Sequence, residues 1–307
     1  MKFDDSLWKG ILEDLFADFL RFFFSNADDI FDMKKGFEYL DKEMAQIAVD
    51  ADLKSPKHVD KLVKAYTREG NEQWVLVHVE VQGYTDQHFE ERMFTYYYRI
   101  FDRYRQRLTA VVLLTGRDKK FHPTTYRSEF LGTEILYRFN SYKIIEQDAE
   151  VLQQSNNPFA FVILTALLAT QGNKLTDNAL LDMKFGLARK LLRQKFSKPV
   201  IWGVFYFIRN YIAFIDPENN SKFDSKIDSI TQKSRHMGIV EMLKERESIK
   251  LIEKGIEKGK AEGKIEGKAE EVRNLITKLG LTDAQAADVA EASVAFVKKI
   301  RASLKKK

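Results

Sequence analysis

The first part of the chain carries apolar residues at helical spacing. Nine of them share one helix face: Leu7, Trp8, Ile11, Leu12, Leu15, Phe16, Phe19, Leu20 and Phe23. This pattern predicts one amphipathic helix over residues 6–24, with Ser6 as its N-cap. The segment from Phe37 to Met44 predicts the approach to a short second helix and its first turns.

A period of two follows, which is typical of strands. Residues 58–67 alternate around apolar positions, and residues 73–83 place four valines on one face and mainly polar residues on the other. The break between the two runs contains Gly70 and predicts a hairpin turn. With a three-residue loop over 69–71, the pairing places Asp60 directly opposite Glu80.

Helix and strand periods alternate further along the chain. We predict a helix over 88–106, strands over 108–115 and 133–139, and then four helices: 148–154, 158–170, 176–195 and 199–214. The order of helix, hairpin, helix and strand predicts an α/β domain with a mixed sheet over residues 1–147. An all-helical region is expected over 148–232, and a charged tail over 233–307.

The tail contains a repeat with glycine at every fourth position: Gly255, Gly259, Gly263 and Gly267. Glu and Lys flank these glycines at spacings that form ion pairs on a helix. Each helical glycine costs about 0.8–1 kcal/mol relative to alanine. Two interpretations stay open, a helix ordered by self-association or by the body, and a flexible charged linker. Beyond the repeat, residues 275–304 predict two short helices broken near 291–293, with Thr282 capping the first.

The basic charge of the chain is concentrated in the tail. The 307 residues carry a formal net charge of +5, yet residues 1–232 hold 32 basic and 33 acidic side chains. No cysteine occurs, which excludes disulfides and thiolate metal sites and favours a reducing compartment. The acidic N-terminus lacks the basic start of a signal peptide, and the longest apolar run, 159–169, is too short to span a membrane. We expect a cytoplasmic protein that does not enter a membrane.

Three polar residues stand at strand positions that would otherwise favour apolar side chains: Asp60, Glu80 and Gln82. Cross-strand Cβ atoms lie about 4.5–5.5 Å apart, so two facing carboxylates can share one divalent cation. Hard carboxylate oxygens select Mg²⁺ or Mn²⁺. The alternative is that these residues lie on the solvated face of an edge hairpin. No phosphate-binding glycine loop occurs in the sequence, and we expect no nucleotide cofactor.

The helix predicted over 88–106 carries a stripe of four residues: Arg92, Tyr96, Arg99 and Arg103. Guanidinium groups bind phosphates and a tyrosine ring can stack on a base, so the stripe predicts contact with a DNA backbone. The alternative interpretation pairs these arginines with the acidic N-terminal segment of the same domain.

Four segments together carry a family resemblance: 59–63, 78–82, 91–96 and 99–104. They resemble the PD-(D/E)XK nuclease family transposases, including the recombination-promoting nuclease (Rpn) group. Further similar segments extend the resemblance over essentially the whole chain, most densely over 6–165: residues 8–15, 40–43 and 157–160, and the Glu/Gly/Lys repeat.

The resemblance implies a restriction-endonuclease-like core that hydrolyses DNA phosphodiester bonds with a metal ion. Asp60 matches the first acidic residue of the family pattern and Glu80 the second, so both would bind Mg²⁺ or Mn²⁺. Gln82 stands where the pattern has lysine, and it could orient a water molecule without supplying charge. Glu43 could add a further carboxylate near the metal, with Asp41 an equal candidate.

Two functions follow from the resemblance. The first is a Mg²⁺-dependent DNA endonuclease, and the second is a catalytically weak or inactive module of the same fold that binds DNA and oligomerises. In both, the C-terminal repeat would join copies of the chain into a homo-oligomer. The end of the tail resembles the short, basic, helix-turn-helix-like ends of such proteins, and non-specific attraction to phosphates is its expected role.

Overall fold

The computed structural model describes residues 5–40, 59–80, 86–171, 175–231, 266–290 and 292–304. The chain divides into two compact units, Met1–Ile239 and Val240–Lys307. The first unit combines a mixed sheet with helices, and the second is helical where it is described. The expected α/β class with a mixed sheet is therefore confirmed.

Three helices begin the first unit: α1 (Asp5–Asp14), α2 (Phe16–Phe23) and α3 (Ala27–Ile30). The prediction of one continuous helix over 6–24 is wrong, because the chain bends at Leu15, whose φ of −128° and ψ of 28° are not helical. Hydrogen bonds from the Leu15 amide to Ile11 at 3.0 Å and from the Phe19 amide to Leu15 at 2.8 Å continue across the bend. Most apolar side chains of both helices are buried, and Phe22 and Phe23 at the end of α2 are half-buried.

Seven strands lie within the described residues: β1 (Glu38–Tyr39), β2 (Val59–Tyr66), β3 (Glu72–Glu80), β4 (Leu108–Leu114), β5 (Thr125–Phe130), β6 (Thr133–Arg138) and β7 (Asn140–Lys143). The central sheet has the order β1-β2-β3-β4-β7; its first three strands are antiparallel neighbours, and β4 runs parallel to both β3 and β7. The short helix expected from Phe37 is wrong at Glu38 and Tyr39, which pair with β2 as a strand. The part of that segment after residue 40 lies outside the described residues.

Helix α4 (Phe89–Tyr104) connects β3 to β4 and covers one face of the sheet. Its buried residues recur every three or four positions, as one face of a helix requires: Phe89, Met93, Tyr96 and Ile100. They pack against side chains from even-numbered strand positions: Leu62, Trp74, Ala110, Val112 and Leu114. On the opposite face, the buried Lys61 of β2 pairs with Glu13 of α1.

Strands β5 and β6 form a separate hairpin that packs on α4. Phe94 of α4 stacks on Tyr126 with ring centroids 4.9 Å apart, and Tyr97 contacts Tyr137 at 4.8 Å. The sequence predicts a strand only over 133–139, which corresponds to β6. Strand β5 was missed because Tyr126 and Phe130 are its only apolar or aromatic residues, whereas β6 has Ile135, Leu136 and Tyr137 in a row.

Five further helices are described in the first unit: α5 (Ala149–Gln154), α6 (Phe159–Gln171), α7 (Asp177–Leu192), α8 (Lys198–Tyr211) and α9 (Glu218–Thr231). The four predicted helices are confirmed and α9 is additional. Trp8 of α1 meets Phe207 of α8 edge-on at 5.1 Å, and Phe19 of α2 meets Phe159 of α6 at 5.3 Å. The regions predicted as 1–147 and 148–232 therefore share one compact unit. Among the described residues, no helix has both the length and the apolar character needed to cross a membrane.

The second unit is described from residue 266 onward, as three helices: α10 (266–279), α11 (Asp283–Val289) and α12 (Val294–Leu304). Buried side chains from all three form a small core: Val272, Ile276, Ala286, Ala287, Ala290 and Val297. Thr282 caps α11 as predicted, and its hydroxyl accepts a hydrogen bond from the Gln285 amide at 3.4 Å. Most of the glycine repeat, up to residue 265, lies outside the described residues.

Candidate functional site

The ends of neighbouring strands form one edge of the central sheet, here named the carboxyl edge. Strand β3 ends at Glu80 and β4 ends at Leu114, and these two residues are register partners. Strand β2 runs antiparallel to β3, so Val59 and Asp60 at its start lie at the same edge. In open α/β sheets, ligands bind outside the carboxyl ends of parallel strands. The two predicted acidic residues therefore lie where a ligand site is expected.

The register of the β2–β3 hairpin differs from the predicted one. Asp60 pairs with His78 and not with Glu80. The cause lies in the turn, where the Thr67 amide donates to the Asn71 carbonyl at 2.8 Å, so the three-residue loop is 68–70. Gly70 in this loop has a φ of 86°, a conformation that glycine adopts without a steric penalty. The predicted partner of Asp60 is therefore wrong by two residues along β3.

The corrected register keeps Asp60 and Glu80 at positions of one sheet face. Glu80 is two residues beyond the partner of Asp60, so the two are diagonal neighbours. Diagonal neighbours lie about 7–8 Å apart, still within reach of long side chains. The even-numbered positions they occupy belong to the face that α4 covers. Asp60 and Glu80 therefore occupy diagonal backbone positions on that face.

Arg92 lies in the first turns of α4, the helix that follows the carboxyl edge in the chain. Its guanidinium pairs with Asp86, and its side chain is only 10% exposed. Asp86 also accepts a hydrogen bond from the His88 amide at 3.0 Å, which holds the start of the helix. The acidic N-terminal segment has other partners, since its Asp28 binds Arg21 at 2.8 Å. Asp86 is therefore one partner of Arg92, and the alternative pairing with that segment stays a prediction.

Tyr96 lies in the middle of the predicted stripe and requires a correction. Its side chain is 2% exposed and belongs to the core between α4 and the sheet. A ring buried in this way offers no face to a nucleic-acid base. The structure therefore assigns Tyr96 to packing, and the arginine stripe is not continuous on the surface.

Arg99 and Arg103 remain exposed on α4. A helix rises about 1.5 Å per residue, so Arg103 lies about 16 Å along the axis from Arg92. The last turn of the helix is at the opposite edge of the sheet, where Tyr104 packs on Trp74 with ring centroids 4.7 Å apart. The stripe thus runs away from the carboxyl edge.

Lys143 is a buried cation at the carboxyl edge that sequence reasoning missed. It ends β7 as the register partner of Leu114, so Glu80, Leu114 and Lys143 occupy one row across three strands. Its Nζ donates to the Phe121 carbonyl at 3.0 Å, and its side chain is 1% exposed. Burial lowers the pKa of Lys143, against the attraction of nearby carboxylates. The sequence signal that could have indicated its burial is its place directly before two isoleucines, Ile144 and Ile145.

Two predicted site residues, Glu43 and Gln82, lie outside the described residues, and their roles stay predictions. Among the side chains that the structure describes, no group of three or more acidic or histidine residues is close enough to hold a metal ion. Comparison of the chain with family models, with curated proteins and with solved structures finds no match. A function must therefore follow from the residues themselves and from their positions.

Proposed function

We propose that the protein is a metal-dependent DNA endonuclease of the PD-(D/E)XK type, resembling the recombination-promoting nuclease group. One observation carries the proposal. Asp60 and Glu80, which come from different strands and are 20 residues apart, occupy diagonal positions on one face at the carboxyl edge. Strand pairing alone brings them together, and a helix connection of the usual crossover kind follows immediately.

The donor set at these positions fits Mg²⁺ or Mn²⁺. Carboxylate oxygens are hard ligands, and Mg²⁺ is commonly held by one or two carboxylates together with water and substrate phosphate. Asp60 and Glu80 would supply that pair, with Glu43 or Asp41 as a further candidate. Bound there, the cation would stabilise the negative charge that develops on a phosphodiester during hydrolysis.

The neighbouring residues would bind and orient the substrate. Gln82 follows Glu80 by two residues, and its amide can hold a water molecule by both donating and accepting hydrogen bonds. Arg92 is held near the edge by Asp86 and could exchange that carboxylate for a DNA phosphate. The exposed Arg99 and Arg103 would contact the DNA backbone farther along α4.

The second candidate function is a DNA-binding and oligomerisation module of the same fold with little or no cleavage activity. Gln82 is the residue that favours it, because an amide carries no charge to stabilise the transition state where the family pattern has lysine. The buried Lys143 does not stand in for that lysine by position, since two strand spacings of about 4.8 Å separate its register position from that of Glu80.

A plasmid assay with a control on the same strand tests the first function. Purified full-length chain is incubated with supercoiled plasmid and Mg²⁺ or Mn²⁺, beside Asp60→Asn, Glu80→Gln and Glu72→Gln. Glu72 begins β3 at the opposite edge of the sheet, so Glu72→Gln removes one carboxylate without touching the site. We expect nicking to fall at least about 100-fold in the first two variants, because several kcal/mol of charge stabilisation is lost, and to persist in the third.

Two outcomes would contradict the endonuclease assignment. Equal nicking by all four proteins would trace the activity to a contaminant. Absence of nicking by the unmodified chain, together with DNA retention that weakens steeply with salt, would instead support the binding module.

A further inference from the structure

The tip of the β5–β6 hairpin exposes two large apolar side chains. Phe130 is 75% exposed and Leu131 is 89% exposed. Phe130 pairs with Thr133 across the turn, and the aromatic contacts with α4 involve Tyr126 and Tyr137 at the other end of the hairpin. The tip is therefore a projection that the hairpin holds away from its supporting helix.

The backbone of the turn is strained at Leu131. Leu131 has a φ of 47° and Gly132 a φ of 82°, the two positive values of a type I′ turn. Asn-Gly is the usual pair in such turns, since a bulky residue is a steric outlier at positive φ. A strained, exposed leucine points to a contact made by this side chain.

Two carboxylates lie directly below the tip. Glu129 and Glu134 are cross-strand partners, and the Arg127 guanidinium bridges them with N–O distances of 3.0 Å to each. One negative charge remains in excess over these three residues near the tip, and the remaining charged residue of the hairpin, Arg138, pairs with Thr125 at its other end. This charge disfavours a DNA backbone as the partner of the tip and favours a basic protein surface.

A complementary surface exists elsewhere in the same unit. Helices α5, α6 and α7 enclose an apolar cavity of about 210 Å³, lined by Leu164, Leu167, Leu168, Met183 and Leu187. Lys190 lines the cavity and also lines a second depression that includes Arg193 and one carboxylate, Glu150. A third depression continues from Leu167 to Arg117 and Lys119. The cavity is thus apolar inside and mainly basic around its rim.

We propose that the Phe130–Leu131 tip of one copy inserts into this cavity of a second copy of the chain. The apolar tip would fill the leucine-lined cavity, and the excess negative charge at Glu129 and Glu134 would face Lys190 and Arg193. Because the tip and the cavity are different patches of one molecule, the contact is heterologous. Two copies can make it reciprocally, and more copies can make it in a ring. This assembly does not depend on the nuclease site.

Cysteine cross-linking tests the contact directly, since the chain contains no cysteine. Full-length Leu131→Cys and Met183→Cys proteins are purified separately, mixed and oxidised, and the mixed disulfide is measured by mass spectrometry. The control pair combines Leu131→Cys with Ile215→Cys, because Ile215 is 88% exposed and does not line the cavity. We expect at least a tenfold higher yield for the 131–183 pair, and equal yields would overturn the proposal. The control also corrects for any association through the tail, which would raise both yields.

Charge reversal gives a second measurement that does not require new cysteines elsewhere. In the Leu131→Cys and Met183→Cys background, Glu134→Lys on the tip partner should lower the yield severalfold, and Lys190→Glu on the cavity partner should restore it. Loss without restoration would overturn the pairing. The variant Leu131→Asp tests whether the tip binds nucleic acid instead. Reduced DNA retention with an unchanged molecular mass by light scattering would assign the tip to nucleic acid and contradict the proposal.

Discussion

Two hairpins of the first unit, β2–β3 and β5–β6, both face α4 but end in opposite ways. The β2–β3 hairpin turns through Arg68, Glu69 and Gly70, which are exposed and mainly charged, and it lies inside a five-stranded sheet. The β5–β6 hairpin has two strands and turns through Leu131 and Gly132. Polar turns are the expected form where a chain reverses in water. The apolar turn therefore indicates a surface that is shaped for a contact.

The two hairpins also differ in the contacts that stabilise them. Buried residues such as Leu62 and Val63 stabilise the β2–β3 hairpin. Its candidate site positions, Asp60 and Glu80, lie at the ends of the strands away from the turn. A two-stranded hairpin alone is marginally stable in water, and β5–β6 relies on ring contacts of Tyr126 and Tyr137 with α4. We expect mutations in the two hairpins to act on different properties.

Truncating one leucine in each hairpin should give the largest contrast. Leu62 is fully buried, so Leu62→Ala should lower the free energy of unfolding by about 2–5 kcal/mol. Leu136 of β6 is 51% exposed, so Leu136→Ala should change it by no more than about 0.5 kcal/mol. Urea denaturation of both full-length variants measures the difference. Similar losses would show that the two hairpins contribute equally to the core.

The turn glycines should give a smaller contrast. Gly70 has a φ of 86° and Gly132 a φ of 82°, and an added Cβ meets no atom within 4 Å at either site. Alanine at either position therefore suffers only backbone strain, about 1–2 kcal/mol. At Gly70 this should appear in global unfolding, because the whole sheet depends on that turn. At Gly132 it should appear mainly as faster amide exchange confined to residues 125–138, since an outer hairpin can open locally. If Gly132→Ala lowered the free energy of global unfolding, the β5–β6 hairpin would not open independently of the sheet.

The sequence predicts most elements of the fold because buried faces leave a periodic pattern. The helical period behind α8 and the alternation in β2 and β3 are of this kind, whereas α6 is buried on all sides and is marked by its continuous apolar run. Elements with few apolar residues were missed. Strand β5 has only Tyr126 and Phe130, and α9 is mainly polar, although Phe223 and Ile227 are buried, and is joined to α8 by the Arg209–Asp224 ion pair at 2.9 Å. Such elements depend on partners that are distant in the sequence, which single-sequence periodicity does not detect.

The sequence predicts correctly that Asp60 and Glu80 share one sheet face, but it does not predict which residues pair across the two strands. Moving the hairpin loop from 69–71 to 68–70 shifts the pairing by two residues, so Asp60 and Glu80 stay on the same face while their direct pairing is lost. Hydrophobic alternation opposes a shift that exchanges faces and does not oppose this one. Lys143 escaped prediction because its burial depends on the Phe121 carbonyl, 22 residues away in the chain.

Replacing the strained leucine should stabilise the β5–β6 hairpin while removing its contact. Leu131→Asn restores the Asn-Gly pair of a type I′ turn, and we expect about 0.5–1 kcal/mol more protection of the hairpin amides, because asparagine tolerates positive φ. Hydrogen exchange over residues 125–138 measures this. Leu131→Ala is the control, since it also removes the apolar group but keeps a side chain that is strained at this φ. Equal protection in both variants would mean that strain at residue 131 is negligible.

The smallest effect concerns the dependence of the β2–β3 hairpin on pH. The Tyr66 hydroxyl donates to Glu38 of β1, and Lys64 pairs with the same carboxylate at 3.0 Å; both hold the pKa of Glu38 below its ordinary value. A lowered carboxyl pKa stabilises the fold above the unfolded value of about 4.3, and this contribution is lost as the pH falls below it. The stability difference between the unmodified chain and Glu38→Gln should therefore shrink from pH 6 to pH 3. Amide exchange, corrected for its intrinsic pH dependence, should show the change at β1 and β2 and not at β5 and β6. A difference that stays constant with pH would contradict the role of Glu38, and a matching change at β5 and β6 would show that the two hairpins open together.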